Sequence, residues 1–68
     1  MPGDKETAYS FVLVEPDKTF YLRNDYLAIK HKIEKAEENE FVPLLQNNKN
    51  NINKIMILKK SIKGYGEI

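Results

Sequence analysis

The sequence predicts an α+β domain: a small antiparallel sheet in ββαββ order with one amphipathic helix packed on one face. Three observations carry that expectation. Two blocks of β-branched, aromatic and aliphatic residues each double back on themselves, at 10–23 and 41–58. A single stretch between them, from Tyr26 to Ala36, repeats apolar residues at helical spacing. Runs of strands around one helix suit a layered α+β arrangement.

The first block reads Ser10-Phe11-Val12-Leu13-Val14, turns at Glu15-Pro16-Asp17-Lys18, and returns through Thr19-Phe20-Tyr21-Leu22-Arg23. Pro16 suits the second position of a type I turn and Asp17 the third, so a hairpin is expected. Side chains alternate between the faces of a strand. The alternation is read with Phe11, Leu13, Phe20 and Leu22 towards the helix and Val12, Val14 and Tyr21 away from it. Asn24 and Asp25 then supply an N-cap and a carboxylate for the unpaired amides of a helix start. Tyr26, Ile29, Ile33 and Ala36 form one narrow apolar stripe among lysines and glutamates. Asn39 is read as the stop, with Pro43 soon after to forbid continuation.

The second block opens with Phe41-Val42-Pro43-Leu44-Leu45, where Pro43 cannot donate to a ladder and points to an edge or a strand start. An asparagine-rich loop follows, from Gln46 to Asn51, and Ile52 to Leu58 reads as the strongest strand of this half. Ile55 and Ile57 are assigned to the helix side, Met56 and Leu58 to the other. The boundaries expected are a disordered leader at 1–8, a single domain at 9–60, and a flexible tail or short extra strand at 61–68.

Tyr21-Leu22-Arg23, then a helix, then Phe41-Val42 and Ile52-Asn53-Lys54-Ile55 resembles the second half of LytTR-type DNA-binding domains. Those domains have a phenylalanine-led strand after a helix, and a strand that opens with an asparagine and an isoleucine-flanked basic residue. The resemblance implies nucleic-acid binding. The chain departs from the family where Pro43, Leu44 and Leu45 stand in place of its basic and hydroxyl-bearing residues, and it is shorter than the whole fold. No site residue is carried over.

Composition narrows the function classes. The chain has 68 residues, a formal net charge of +1 and no cysteine. That size holds one small domain without a cleft between lobes. Lack of cysteine removes disulfides, thiolate metal sites and thiol nucleophiles, and suits a cytoplasmic protein. Ile55-Met56-Ile57-Leu58 is the longest apolar run, far below the roughly 20 residues of a membrane span. The charged start at Met1 to Glu6 does not read as a signal peptide. The bias to lysine, asparagine and isoleucine suits a low-GC bacterium or its phage.

No constellation points to catalysis. His31 is the lone histidine, flanked by Lys30 and Lys32, with no second metal ligand at hand. Glu34 and Glu38 fall beside Lys30 and Lys35 and read as a solvated face. Ser10 and Ser61 lie outside any nucleophile-elbow pattern, and Gly64-Tyr65-Gly66 lacks the basic residue and helix of a phosphate loop. The expectation is a protein without enzymatic activity, cofactor, metal or small-molecule substrate.

Two partner classes remain. One helix covers one face of a sheet, so an apolar remainder (Val12, Val14, Tyr21, Met56 and Leu58) is expected to form an interface in a homo-oligomer or with a protein partner. The alternative is nucleic-acid contact through Arg23, Lys54, Lys59, Lys60 and Lys63, since lysines there outnumber acidic residues.

Overall fold

A computed structural model describes residues 5–49 and 51–68. Five strands form one antiparallel sheet: β1 (Ser10–Val14), β2 (Lys18–Leu22), β3 (Phe41–Asn48), β4 (Asn51–Leu58) and β5 (Ile62–Glu67), in the order β4-β3-β2-β1-β5. One helix, α1 (Tyr26–Lys35), lies between β2 and β3 in the chain, and a 3-10 turn at Lys59–Ser61 joins β4 to β5. The fold is therefore α+β with the helix on one face of the sheet, as the sequence predicts.

The short β4–β5 connection dictates the shape. In a flat sheet the outer strands of five would lie about 19 Å apart. From Leu58 to Ile62 the chain spans at most about 15 Å. The sheet must coil, drawing its two ends together at the 3-10 turn, and α1 packs against both β3 and β5. Backbone bonds tie the turn down: Lys59 N donates to Glu40 O at 2.9 Å, Lys60 N to Glu38 O at 3.1 Å, and Glu15 N to Ser61 O at 2.8 Å.

The inner, helix-facing side holds the core. Val12, Leu22, Ile29, Val42 and Leu44 are almost fully buried, with Val14, Ile33 and Ile57 close behind. Phe20, Tyr26, Ala36, Ile55, Ile62 and Tyr65 pack around them. The helix stripe is thus the expected one, and so are Phe20, Leu22, Ile55 and Ile57 on the strands it meets; the β1 residues are not. Val12 and Val14 face the helix, whereas Phe11 and Leu13 face outward. A period of two gives no preference when both faces are apolar, and a shift of one residue exchanges every side chain. Neighbouring groups decide it. Ser10 shares the inner face with Val12 and is fully buried, its Oγ donating to Asn24 O at 2.6 Å. On the outer face, Phe11 lies across from Gly66 and Leu13 across from Gly64. A methyl group at Gly66 would stand 2.7 Å from the Phe11 ring, so the glycine makes room for that ring.

Other boundaries move for local reasons. Asp25 caps α1, accepting from Leu27 N at 3.3 Å. Asn24 serves the sheet instead, its Oδ1 accepting from Leu45 N at 2.7 Å. With Arg23 N donating to Leu45 O at 2.8 Å, it reinforces a β2–β3 junction whose one paired position is Leu22 with Gln46. The helix ends at Lys35, short of Asn39, and Ala36 is already extended. Glu34, Glu37, Glu38 and Glu40 crowd the negative end of the helix dipole, which disfavours further turns. Glu37–Glu40 closes as its own turn, with Glu40 N donating to Glu37 O at 2.9 Å.

At the two ends of the chain, residues 62–67 form β5 rather than a flexible tail. In the expected 1–8 leader, Ala8 N donates to Lys5 O at 3.2 Å in a turn, and residues 1–4 lie outside the described residues. Asn47 Nδ2 donates to Thr7 Oγ1 at 3.0 Å, which holds that turn against β3.

Candidate functional site

The outer face of the sheet, opposite α1, is the candidate site. Strand pairing sets its rows: Phe11 beside Tyr21 and Leu13 beside Thr19 on β1–β2, then Phe41 beside Leu58, Pro43 beside Met56 and Leu45 beside Lys54 on β3–β4. Ile52 follows at the end of β4 beside Asn47. Leu13 (37%), Phe41 (54%), Leu45 (40%), Ile52 (51%) and Met56 (54%) are exposed to degrees unusual for large apolar side chains gathered on one face. Lys54 is the only charged side chain that β1 to β4 place there, among the described residues.

The expected interface set divides. Tyr21, Met56 and Leu58 lie on this face as predicted. Val12 and Val14 do not: they are core residues under the helix, at 0% and 7% exposure. Phe11, Leu13, Phe41, Pro43, Leu45 and Ile52 take their place. A signal for them was present in Gly64-Tyr65-Gly66, whose alternation puts two glycines under Phe11 and Leu13 and turns Tyr65 towards the helix.

A shallow hollow on the β1–β2 side of the face is lined by Lys5, Phe11, Leu13, Thr19, Tyr21, Glu67 and Ile68. At the other end, beyond β2, the Arg23 guanidinium sits over the Tyr9 ring at 5.4 Å and donates from Nη1 to Asn47 Oδ1 at 3.4 Å. Its Nε is buried without a hydrogen-bond partner among the described residues. Arg23 is thus held by the fold rather than presented freely.

The five cations come from four places in the fold: Arg23 after β2, Lys54 on β4, Lys59 and Lys60 in the 3-10 turn, and Lys63 on β5. Lys54 lies on β4 and Lys63 on β5, at opposite ends of the strand order. Lys63 Nζ reaches Pro16 O at 3.5 Å beside the first hairpin turn. Lys59 and Lys60 sit in the 3-10 turn, bonded through their backbone to the acidic 38–40 stretch. Glu38 and Glu40 are thereby brought next to Lys60 and Lys59 along the backbone.

On the inner side Tyr65 stacks against Tyr26 with ring centroids 6.1 Å apart and donates to Glu34 Oε2 at 3.2 Å. Burial raises the Tyr65 phenol above its ordinary value of 10.0, and the Glu34 carboxylate adds to the rise. A raised folded-state value gives stability that is whole below about pH 10 and lost as pH climbs through the folded value. Alkaline titration followed by tyrosine absorbance should show a late-titrating phenol and an accompanying loss of stability. Tyr65→Phe should remove both; an unchanged titration curve in that variant would refute the assignment.

His31 is exposed on α1. Among the described residues no group of three or more His, Asp or Glu side chains could hold a metal ion. Among the described residues no helix is long and apolar enough to cross a membrane.

No family model, curated protein or solved structure matches the chain. The LytTR-type resemblance accordingly rests on its short strand motifs alone.

Proposed function

We propose that this chain is a small non-catalytic interaction module that self-associates through the sheet face opposite the helix, in a cytoplasmic setting. The observation that carries the reading is the set of exposed apolar side chains on that face, Leu13, Phe41, Leu45, Ile52 and Met56, with Lys54 the one charge that β1 to β4 place there among the described residues. Five large side chains about half exposed, with their partly covered neighbours, leave apolar area on the order of 400–500 Å² on this face in total. That area is comparable to the largest apolar patch of a typical monomer, which is often functional. A second copy is the occupant of choice because a net charge of +1 imposes little repulsion between copies. A symmetric pair also lets one apolar surface cover its own counterpart.

Sedimentation velocity from micromolar to millimolar concentration tests the reading. The sedimentation coefficient is expected to rise with concentration. In parallel, NMR shifts on dilution should concentrate at outer-face residues such as Ile52, Met56 and Leu58 and spare Ile29 and Ile33. A monomer throughout that range would overturn the proposal. Dilution shifts confined to the outer faces of α1 or to the lysines of the 3-10 turn would place the contact elsewhere.

A further inference from the structure

The two edges of the sheet are built differently, and the difference locates the contact. β5 is a guarded edge: its pairing with β1 shifts register between Leu13 and Val14, it carries two glycines, and Tyr65 ties it to α1. Irregular, interrupted edges of this kind resist pairing with a further strand. β4 has none of these devices. It runs eight residues, pairs with β3 in unbroken register from Asn51 to Leu58, and contains no proline. Five of its residues, Asn51 to Lys54 and Met56, are exposed, and Ile55 and Leu58 are partly covered. Lys54 is its single charge. An edge left this long and regular is a template for another strand.

We propose that β4 pairs antiparallel with β4 of a second copy, in the register that sets Ile55 opposite its own symmetry mate. The inference rests on the self-association reading above and specifies which border of the outer face makes the contact. Directly opposed residues in an antiparallel pair share a face. Two-fold symmetry therefore allows only registers centred on a residue. Centring on Lys54 would set two ammonium groups against each other, which is destabilising. Centring on Asn53 sets Ile52 against Lys54 and leaves Met56 and Leu58 largely without a partner. Centring on Ile55 sets Ile52 against Leu58 and Lys54 against Met56 on the outer face, and Ile55 against Ile55 on the inner face. Seven residues of each strand then pair, and the mixed polar–apolar matches are Asn53 against Ile57 and Lys54 against Met56, the lysine stem lying along the methionine.

The face alone argues for such an addition. Its 400–500 Å² falls short of the roughly 800 Å² per partner typical of a stable interface. A row of main-chain hydrogen bonds along β4 supplies affinity that apolar area does not. The paired edges also bring Ile52 and Met56, each more than half exposed in the single chain, under cover.

Charge substitution at Met56 distinguishes this edge pairing from stacking of the two faces. In the Ile55-centred register Met56 faces Lys54 of the second copy, twice per dimer. Met56→Glu should therefore retain or tighten association, and Met56→Lys should weaken it, with the two dissociation constants about tenfold apart. Lys54→Glu combined with Met56→Lys should restore what Met56→Lys loses. Amide hydrogen exchange of the unmodified chain gives an independent readout. The alternate β4 amides that point away from β3 should exchange fast at low concentration and slow at high concentration.

Association in which those amides stay fast, and in which both Met56 variants weaken alike, would overturn the edge pairing and leave face-to-face association standing. Absence of any association would overturn the edge pairing together with the reading on which it rests.

Discussion

Val12→Lys is expected to abolish the cooperative thermal transition, while Leu13→Lys leaves the midpoint within a few degrees of the parent chain. The two residues are neighbours on β1 and differ in the face they occupy. Val12 is fully buried, opposite Phe20 on one side and Tyr65 on the other. An ammonium group there has no carboxylate in the core to meet, and an unpaired buried charge costs several kcal/mol. A domain of 68 residues has on the order of 5 kcal/mol to lose. Leu13 is 37% exposed and lies across from Gly64, so a lysine stem can follow the surface with its amine in water. Circular dichroism melts of the two variants decide the matter. The reverse outcome, with Leu13→Lys unfolded and Val12→Lys intact, would mean that Phe11 and Leu13 meet the helix after all.

Leu22→Ala is the second large effect. Leu22 has no exposure and occupies the corner at which β2 passes to β3, paired with Gln46 inside the core. Truncation removes buried methyl groups and leaves a cavity that the surrounding core fills only in part. A loss of about 2–5 kcal/mol is expected, enough to unfold most of the chain at ordinary temperature. Leu45→Ala is the control: Leu45 lies on the outer face at 40% exposure, and its truncation should cost under about 1 kcal/mol. Urea denaturation measures both, with the midpoint falling and the slope unchanged. A Leu22→Ala cost below that of Leu45→Ala would contradict the core as described.

The candidate site was half legible in the sequence, and the half that was missed has a common origin. Alternation along Ile52 to Leu58 places Met56 and Leu58 on the outer face, and alternation along 19–23 places Tyr21 there. Val12 and Val14 fall there only when Phe11 and Leu13 are grouped on one face with Phe20 and Leu22, whereas the hairpin register pairs Phe11 with Tyr21 and Val12 with Phe20. In a strand with no polar face, residue size does not choose the inside. Here Ser10, hydrogen-bonded to Asn24 O, and the two glycines of β5 choose it. The lysines were legible as residues and not as a site, since their distribution over both edges of the sheet follows from strand order.

What the sequence determined alone is local: the α+β class, one hairpin at Pro16, one helix with Ile29 and Ile33 inward, and a strong strand at Ile52 to Leu58. Each follows from periodicity and turn chemistry within a dozen residues, where the backbone has few choices. Tertiary structure decided what depends on distant partners. It made 62–67 a strand by pairing it with β1, extended β3 to Asn48 through its match with β4, and ended the helix at Lys35. It also coiled the sheet through a three-residue turn and chose which of two apolar faces the helix covers. Those outcomes depend on which segments meet across the sheet, and a period of two, read along one strand, carries no record of the neighbour.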